Sequence, residues 1–285
     1  MTRQRDAGID LVVQGLSATI ADARAIAALC ECDEIESIGS VPTAAFRLRN
    51  PKSRDGVADA AQARRVDHAF VPRDRMLVDV RVVAMDMDST LITIECIDEI
   101  ADMLGIKREV SAITESAMRG EIDFRGSLTR RVALLKGLPL TALERVYAER
   151  LQLSPGAEQM LAQFHAAGAS TLLVSGGFTF FTDRLRERLA LRHALSNVLE
   201  IDDGKLAGRV AGEIVDAQAK AMALRDLRGT LPPGLAVAIG DGANDLPLFG
   251  EADVSVAYRA KPVVRAQATH ALDFSGLDGV ANLFA

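Results

Sequence analysis

Two aspartates separated by one residue, Asp86 and Asp88, stand at the end of an apolar run, Val82-Val83-Ala84-Met85. Side chains alternate along a strand, so both carboxylates would leave the backbone on the same side. Held that close, they must share a cation, a proton or a divided role, because both cannot ionise freely. Three further stretches follow the same plan. Thr171-Leu172-Leu173-Val174 runs into Ser175-Gly176-Gly177, where glycines let backbone N–H groups approach an anion and Ser175 adds a hydroxyl. Lys220 lies near the start of a predicted helix and could add a point charge to an anion site. Ala236-Val237-Ala238-Ile239 runs into Gly240-Asp241-Gly242-Ala243-Asn244-Asp245, which supplies two more carboxylates. Singly, each stretch is also what an ordinary turn or a solvated helix face contains. Their recurrence in order, at element ends, is what points to chemistry.

Taken together these residues describe a magnesium-dependent phosphoryl-transfer site. Mg²⁺ takes about six oxygen ligands and keeps some waters. Asp86, the backbone carbonyl of Asp88 and Asp241 could supply the protein's share. Asp86 could attack phosphorus in line, which splits one hard hydrolysis into two easier steps. Asp88 could protonate the departing alkoxide and then deprotonate the attacking water. Lys220 and the donors at Ser175 and Gly176 would neutralise and position the phosphoryl oxygens.

The elements that must position these groups follow from periodicity. Strands alternating with helices from residue 155 onward, together with the strand before Asp86, predict a doubly wound parallel α/β sheet. Such sheets place ligands beyond the carboxyl ends of their strands. Helices are expected at 156–166, 178–190 and 217–227, and strands at 170–174, 235–239, 254–257 and 271–274. A hairpin is expected around Asp202-Asp203-Gly204-Lys205. Residues 97–151 carry apolar residues at three- and four-residue intervals and no convincing strand, which predicts a helical cap inserted after the first strand. Upstream, strands at 9–14, 35–41, 44–48 and 69–71 with helices at 20–29 and 57–65 give a β-α-β-β-α-β order, a small α+β ferredoxin-like unit. Pro72-Arg73-Asp74-Arg75 reads as a linker. The expected division is therefore 1–75 and 76–285.

Composition narrows the partners. A net charge of −6 gives no reason to expect nucleic acid or an acidic membrane, although a locally positive site could still take an anionic substrate. No run of about 18 apolar residues occurs, and MTRQRDAGID lacks a signal-peptide core. Three cysteines, Cys30, Cys32 and Cys96, cannot make a disulfide framework, and Cys30-Glu31-Cys32 has the wrong spacing for a zinc knuckle. A cytoplasmic protein is expected.

DMDSTL, SGG, the Lys220 region and GDGANDLP resemble the four ordered motifs of the haloacid dehalogenase superfamily. Over about residues 80–275 the chain is similar to the phosphoserine phosphatase family within it. The stretches IECIDEIA, MRGEIDF, SLTRRVALLKGL, LEIDDGKLAGRV and IVDAQAKA carry that likeness. The resemblance implies hydrolysis of O-phospho-L-serine to L-serine and phosphate, the last step of serine biosynthesis, through an aspartyl phosphate. It implies Asp86 as nucleophile, Asp88 as acid and base, and Asp86, Asp88 and Asp241 as Mg²⁺ ligands. Asn244 and Asp245 would support metal and phosphate, and Ser175, Gly176 and Lys220 would hold phosphoryl oxygens with Gly177 beside them. Glu95 on a flap, and Met118, Phe124 and Arg131 in the cap, would recognise the substrate. The chemistry agrees: Glu95 can pair an ammonium, and Arg131 can take a carboxylate bidentately. Ala219 departs from the larger residue common in the family before the lysine, which touches only local packing. The first 75 residues loosely resemble ACT-like domains, which suggests sensing of an amino-acid effector or formation of a homodimer, with a plain scaffold as the alternative. Transfer to another alcohol such as homoserine, hydrolysis of other phosphomonoesters, and a regulatory protein with a relic site are the competing functions.

Overall fold

The computed structural model describes residues 8–39 and 41–285. Ser40, inside the stretch 35–41 predicted as a strand, lies outside the described residues, as does the side chain of Met118. Among the described residues the chain forms one four-stranded and one seven-stranded sheet.

The first sheet is built from β1 (Ile9–Gly15), β2 (Glu34–Ser37), β3 (Ala44–Arg49) and β4 (Asp67–Pro72) in the antiparallel order β2-β3-β1-β4. Helices α1 (Ile20–Cys30) and α2 (Val57–Arg64) connect its strands. Thr19 and Asp22 close a reciprocal capping box at the start of α1, satisfying N–H groups that the helix itself cannot pair. Alternation along β1 sends Leu11 and Val13 into a cluster with Ala23, Ile26, Phe46 and Leu48 on the helix side. Val12, on the other face, packs into the cluster of the larger unit.

That second face is covered by the C-terminus. A 3₁₀ segment, Leu277–Leu283, returns to the first sheet, where the buried Arg47 guanidinium donates to the carbonyls of Asn282 (3.1 Å) and Phe284 (2.5 Å). Asp67 accepts from the backbone N–H groups of Asp273, Phe274 and Ser275. The sequence did not announce this segment, because its Gly and Asn content hides any apolar period.

The seven-stranded sheet has the order β11-β10-β9-β5-β6-β7-β8. It comprises β5 (Val80–Met85), β6 (Ser170–Phe178), β7 (His193–Asp202), β8 (Lys205–Ala211), β9 (Leu235–Gly240), β10 (Val254–Tyr258) and β11 (His270–Leu272). Every pairing is parallel except the β7–β8 hairpin. Val82 and Ala84 of β5 meet Leu172, Val174, Ala236 and Ala238 on one face, while Val83 and Met85 meet Leu173, Val237 and Ile239 on the other. Burial on both faces is why these strands read as unbroken apolar runs. The chain moves outward from β5 through β6 and β7, then crosses back to β9 on β5's other side. The carboxyl end of β5 therefore lies at the point where the strand order reverses, where such sheets open a crevice.

Between β5 and β6 lies the helical insertion: α3 (Cys96–Met103), α4 (Lys107–Met118), α5 (Phe124–Ala133), α6 (Leu140–Arg145) and a wide turn at Val146–Arg150. Leu128, Val132, Leu135, Leu138 and Leu143 bury its inner face. The cap is anchored to β8 by backbone bonds of 2.8 Å, from Gly137 N to the Leu206 carbonyl and from Leu206 N to the Leu138 carbonyl. Helices α7 (Ala157–Ala166), α8 (Thr179–Arg188), α9 (Ala217–Thr230), α10 (Leu246–Phe249) and α11 (Pro262–Arg265) complete the layers.

Candidate active site

The DMDST stretch does not continue as a strand. After Met85 the chain enters an irregular wide turn, Met87–Leu91, with Ser89 at φ 55°, a left-handed conformation uncommon outside glycine. That turn separates the two aspartates. Asp86 stays buried above the sheet, its Oδ1 accepting from Met87 N at 2.8 Å. The Asp88 carboxylate turns toward the cap, where its Oδ1 accepts from Cys96 N at 2.9 Å, at the start of α3. Its Oδ2 lies over Gly177, where an added Cβ would approach it to 2.9 Å.

Lys220 comes from the first turn of α9, whose N-cap Asp216 accepts from Gln218 N and Ala219 N. Its ammonium is buried between Asp86 Oδ1 and Asp245 Oδ1, 2.9 Å from each. Burial disfavours the charge, but the two carboxylates outweigh it and hold the lysine well above its ordinary value. The 3₁₀ turn after β9 brings Asp245 inward, with Oδ2 accepting from Gly242 N at 3.1 Å. Asp86, Asp241 and Asp245 each offer an oxygen within 4.8 Å of the others. Asp241 takes a further hydrogen bond from Thr90 Oγ1 at 3.0 Å, and Asn244 Nδ2 reaches Asp86 Oδ2 at 3.5 Å.

Crowded carboxylates hold protons. Burial, then the charge of Asp86, pushes Asp245 up to about 7 despite Lys220, and raises Asp241 as well. Burial and the Asp86 charge also push Asp88 up to about 6. Buried, mutually repelling hard oxygen donors are the ligand set a small divalent cation satisfies.

The Ser-Gly-Gly stretch forms the end of β6 itself, where the sequence placed a loop. Ser175 is fully buried, and its Oγ accepts from Gly177 N at 2.8 Å. Asn197 of β7 braces the strand end, donating from Nδ2 to the Gly176 carbonyl at 2.8 Å and accepting from Val215 N at 2.8 Å. Phe124, first residue of α5, sits over Gly176, where an added Cβ would meet its ring at 2.9 Å. The cap is thus in contact with the strand end that carries Ser175 and Gly176.

Glu95 immediately precedes α3, and its Oε1 accepts from Ser89 Oγ at 2.7 Å. Desolvation at the cleft wall, followed by the Asp88 charge, pushes it up to about 8 against the opposing Ser89 hydrogen bond. Arg131 faces the same cleft. Burial lowers its pKa against the pull of Asp98, Glu95 and Asp88, and its Nε is buried with no hydrogen-bond partner among the described residues. Met118 ends α4. Asp86, Asp88, Asp241, Asn244, Asp245, Lys220, Ser175, Gly176 and Gly177 converge at one sheet end, with Glu95, Phe124 and Arg131 on the cap side.

Four supporting groups escaped the sequence reading. Thr90 holds Asp241, Ser154 Oγ donates to the Thr90 carbonyl at 2.6 Å, and Asn197 holds Gly176. Arg125 spans from the cap to Asp216 at 2.7 Å, directly before the helix that carries Lys220. Arg125 alone had a signal, a basic residue beside Phe124 in the cap motif.

Comparison with known proteins agrees with this geometry. The haloacid dehalogenase-like hydrolase family model matches residues 80–253. A phosphoserine phosphatase of Polaromonas sp. strain JS666 is 53% identical over 217 residues, covering 74% of this chain and 92% of that protein. The crystal structure of a probable phosphoserine phosphatase from Vibrio cholerae superposes with a TM-score of 0.85 at 37% identity, over 99% of this chain and 88% of that one. A substrate-bound phosphoserine phosphatase complex superposes with a TM-score of 0.67 at 35% identity, over 72% of this chain and 99% of that one. The chain belongs to the haloacid dehalogenase-like hydrolase family, in its phosphoserine phosphatase branch.

Proposed function

We propose that this chain hydrolyses O-phospho-L-serine to L-serine and phosphate with Mg²⁺ as cofactor. The observation that carries the reading is the pairing of two facing walls. On one, Asp86, Lys220, Asp241 and Asp245 assemble a phosphoryl and cation site at the sheet end. On the other, Glu95 and the unpartnered Nε of Arg131 offer complements to an ammonium and a carboxylate. Among small phosphomonoesters, a phosphoamino acid uses both.

Asp86 attacks phosphorus, and the ester P–O bond breaks as the aspartyl phosphate forms. Asp88, raised to about 6 and placed beside Gly177, gives its proton to the departing serine oxygen and takes one from the water that cleaves the acyl phosphate. Lys220 and the donors around Ser175 hold the phosphoryl oxygens where negative charge develops. Mg²⁺, held by Asp86, Asp241 and Asp245 or by the Asp88 carbonyl, would neutralise phosphate charge that these carboxylates otherwise repel. Phe124 over Gly176 and the surrounding cap exclude bulk water while the intermediate exists.

We place the division of the chain near residue 75, with residues 76–285 as the catalytic unit and the preceding sheet as a ferredoxin-like, ACT-like unit that could bind an amino-acid effector or pair two chains. Free thiols at all three cysteines suit the cytoplasm, and among the described residues no helix is long and apolar enough to cross a membrane. The test compares phosphate release from O-phospho-L-serine, phosphothreonine and an aryl phosphate. Selective turnover of phosphoserine supports the assignment, and preference for the aryl ester overturns it.

A further inference from the structure

Cys30 ends α1 and Cys32 follows two residues later. Between them Glu31 adopts a left-handed conformation (φ 48°, ψ 51°), which a side-chain-bearing residue visits uncommonly. This reversal turns both thiols to one side, their Sγ atoms 3.1 Å apart. The backbone on either side is fixed: Cys32 N donates to the Ala27 carbonyl at 3.3 Å, and Lys52 N to the Cys30 carbonyl at 2.8 Å. Cys30 is fully buried and Cys32 is half-buried. No step of the proposed hydrolysis uses either thiol.

We propose that Cys30 and Cys32 form a redox-active dithiol that closes reversibly to an intrachain disulfide by exchange with a low-molecular-weight disulfide such as oxidised glutathione. Cys32, the reachable thiol, loses its proton and attacks the external disulfide, forming a mixed disulfide and releasing one glutathione thiolate. Cys30, already in contact, loses its proton and attacks the Cys32 sulfur, forming the Cys30–Cys32 bond and releasing the second glutathione. Two protein thiols are oxidised as one glutathione disulfide is reduced to two thiols. A ring closed across one intervening residue removes little chain entropy, so the bond would act as a reversible modification rather than as a structural staple. Burial and the neighbouring Cys30 push the Cys32 thiol up to about 12, so exchange should be slow at neutral pH and accelerate as pH rises. Cys96 is buried elsewhere, against Asp88, and serves as an internal control.

The experiment incubates the reduced full-length protein with oxidised glutathione at about pH 7 and about pH 9, stops exchange with acid and alkylates the unfolded chain. Mass spectrometry then counts free thiols and locates links. The expected result is a fall from three alkylatable thiols to one, Cys96 remaining free, with a Cys30–Cys32 link, no retained glutathione and faster closure at the higher pH. Cys30→Ser should instead accumulate a stable glutathione adduct at Cys32. Cys32→Ser, at the more tolerant half-buried position, should leave Cys30 unmodified. Retention of three thiols in the wild type, a lasting adduct without closure, or a link to Cys96 or to a second chain would each overturn the proposal.

Discussion

Lys220→Met is the substitution that most sharply separates the electrostatic account of the site from a packing account. The methionine side chain keeps most of the buried stem, so the change removes mainly charge. The ammonium lies 2.9 Å from both Asp86 and Asp245, and at an effective dielectric constant of about 20 each contact carries about 6 kcal/mol of attraction. Desolvation of three buried groups offsets much of this. Removing one partner of a buried ionic cluster therefore costs about 3–5 kcal/mol, because the remaining charges are left uncompensated. The loss must depend on pH. Asp245 already stands at about 7 and Asp88 at about 6 with the lysine present, and both rise further without it. A carboxyl raised in the folded state binds protons there that the unfolded chain releases, so its stabilisation is present at low pH and is lost as pH rises through the folded value. Without metal, Lys220→Met should thus be strongly destabilised near pH 8 and much less so near pH 5. Urea unfolding in chelator at the two pH values measures this, and millimolar Mg²⁺ should return part of the stability near pH 8 by binding the folded state. A loss below about 1 kcal/mol, or one equal at the two pH values, would refute the electrostatic reasoning.

Three further outcomes follow from the same geometry. Gly177→Ala places a Cβ 2.9 Å from Asp88 Oδ2 and from Met87 Cε, so it should lower kcat by about 100-fold through displacement of Asp88, the proposed acid and base, with circular dichroism unchanged. Arg131→Ala removes the cap's half-buried guanidinium with its unpartnered Nε and should lower kcat/KM for phosphoserine by about 10- to 100-fold while leaving an aryl phosphate almost unaffected, in steady-state assays with both esters. Burial, Arg75 and His68 depress His270 from 6.5 to about 4, so the unfolded chain takes up its proton first and stability falls as pH drops through that window. His270→Gln should remove a component on the order of 3 kcal/mol from that acid limb, read as the difference between the two stability–pH curves.

The parts of this molecule legible in its sequence are those where one physical rule acts alone. Val82 to Met85 and Ala236 to Ile239 are buried on both faces, so apolar continuity identified them as parallel strands. Asp202-Asp203-Gly204 turns the β7–β8 hairpin with Asp203 and Gly204 both at positive φ, as its composition suggested. Where rules compete, the reading fell short. Ser175-Gly176-Gly177 carries loop residues, yet sheet pairing and the Asn197 brace keep it extended to Phe178. Asp86 and Asp88 have the spacing of one strand face, but the left-handed Ser89 turn sends Asp88 to the cap. Asp245 was expected to support the metal and phosphate, but nothing local in the sequence showed that the 3₁₀ turn after Gly242 brings its oxygen within 4.8 Å of Asp86 and Asp241. Thr90, Ser154 and Asn197 act through tertiary contacts that no local pattern encodes.

Trapping the phosphoryl group tests the central claim most directly. Asp88→Asn lacks the acid for the first step as well as the base for the second, so the acyl phosphate forms slowly on Asp86 but, once formed, is not hydrolysed. Acid quench of this variant with labelled O-phospho-L-serine and Mg²⁺, followed by peptide mapping, should find the label on Asp86 alone and base-labile as an acyl phosphate. Label on any other residue, or label on the Asp86→Asn protein, would contradict the account.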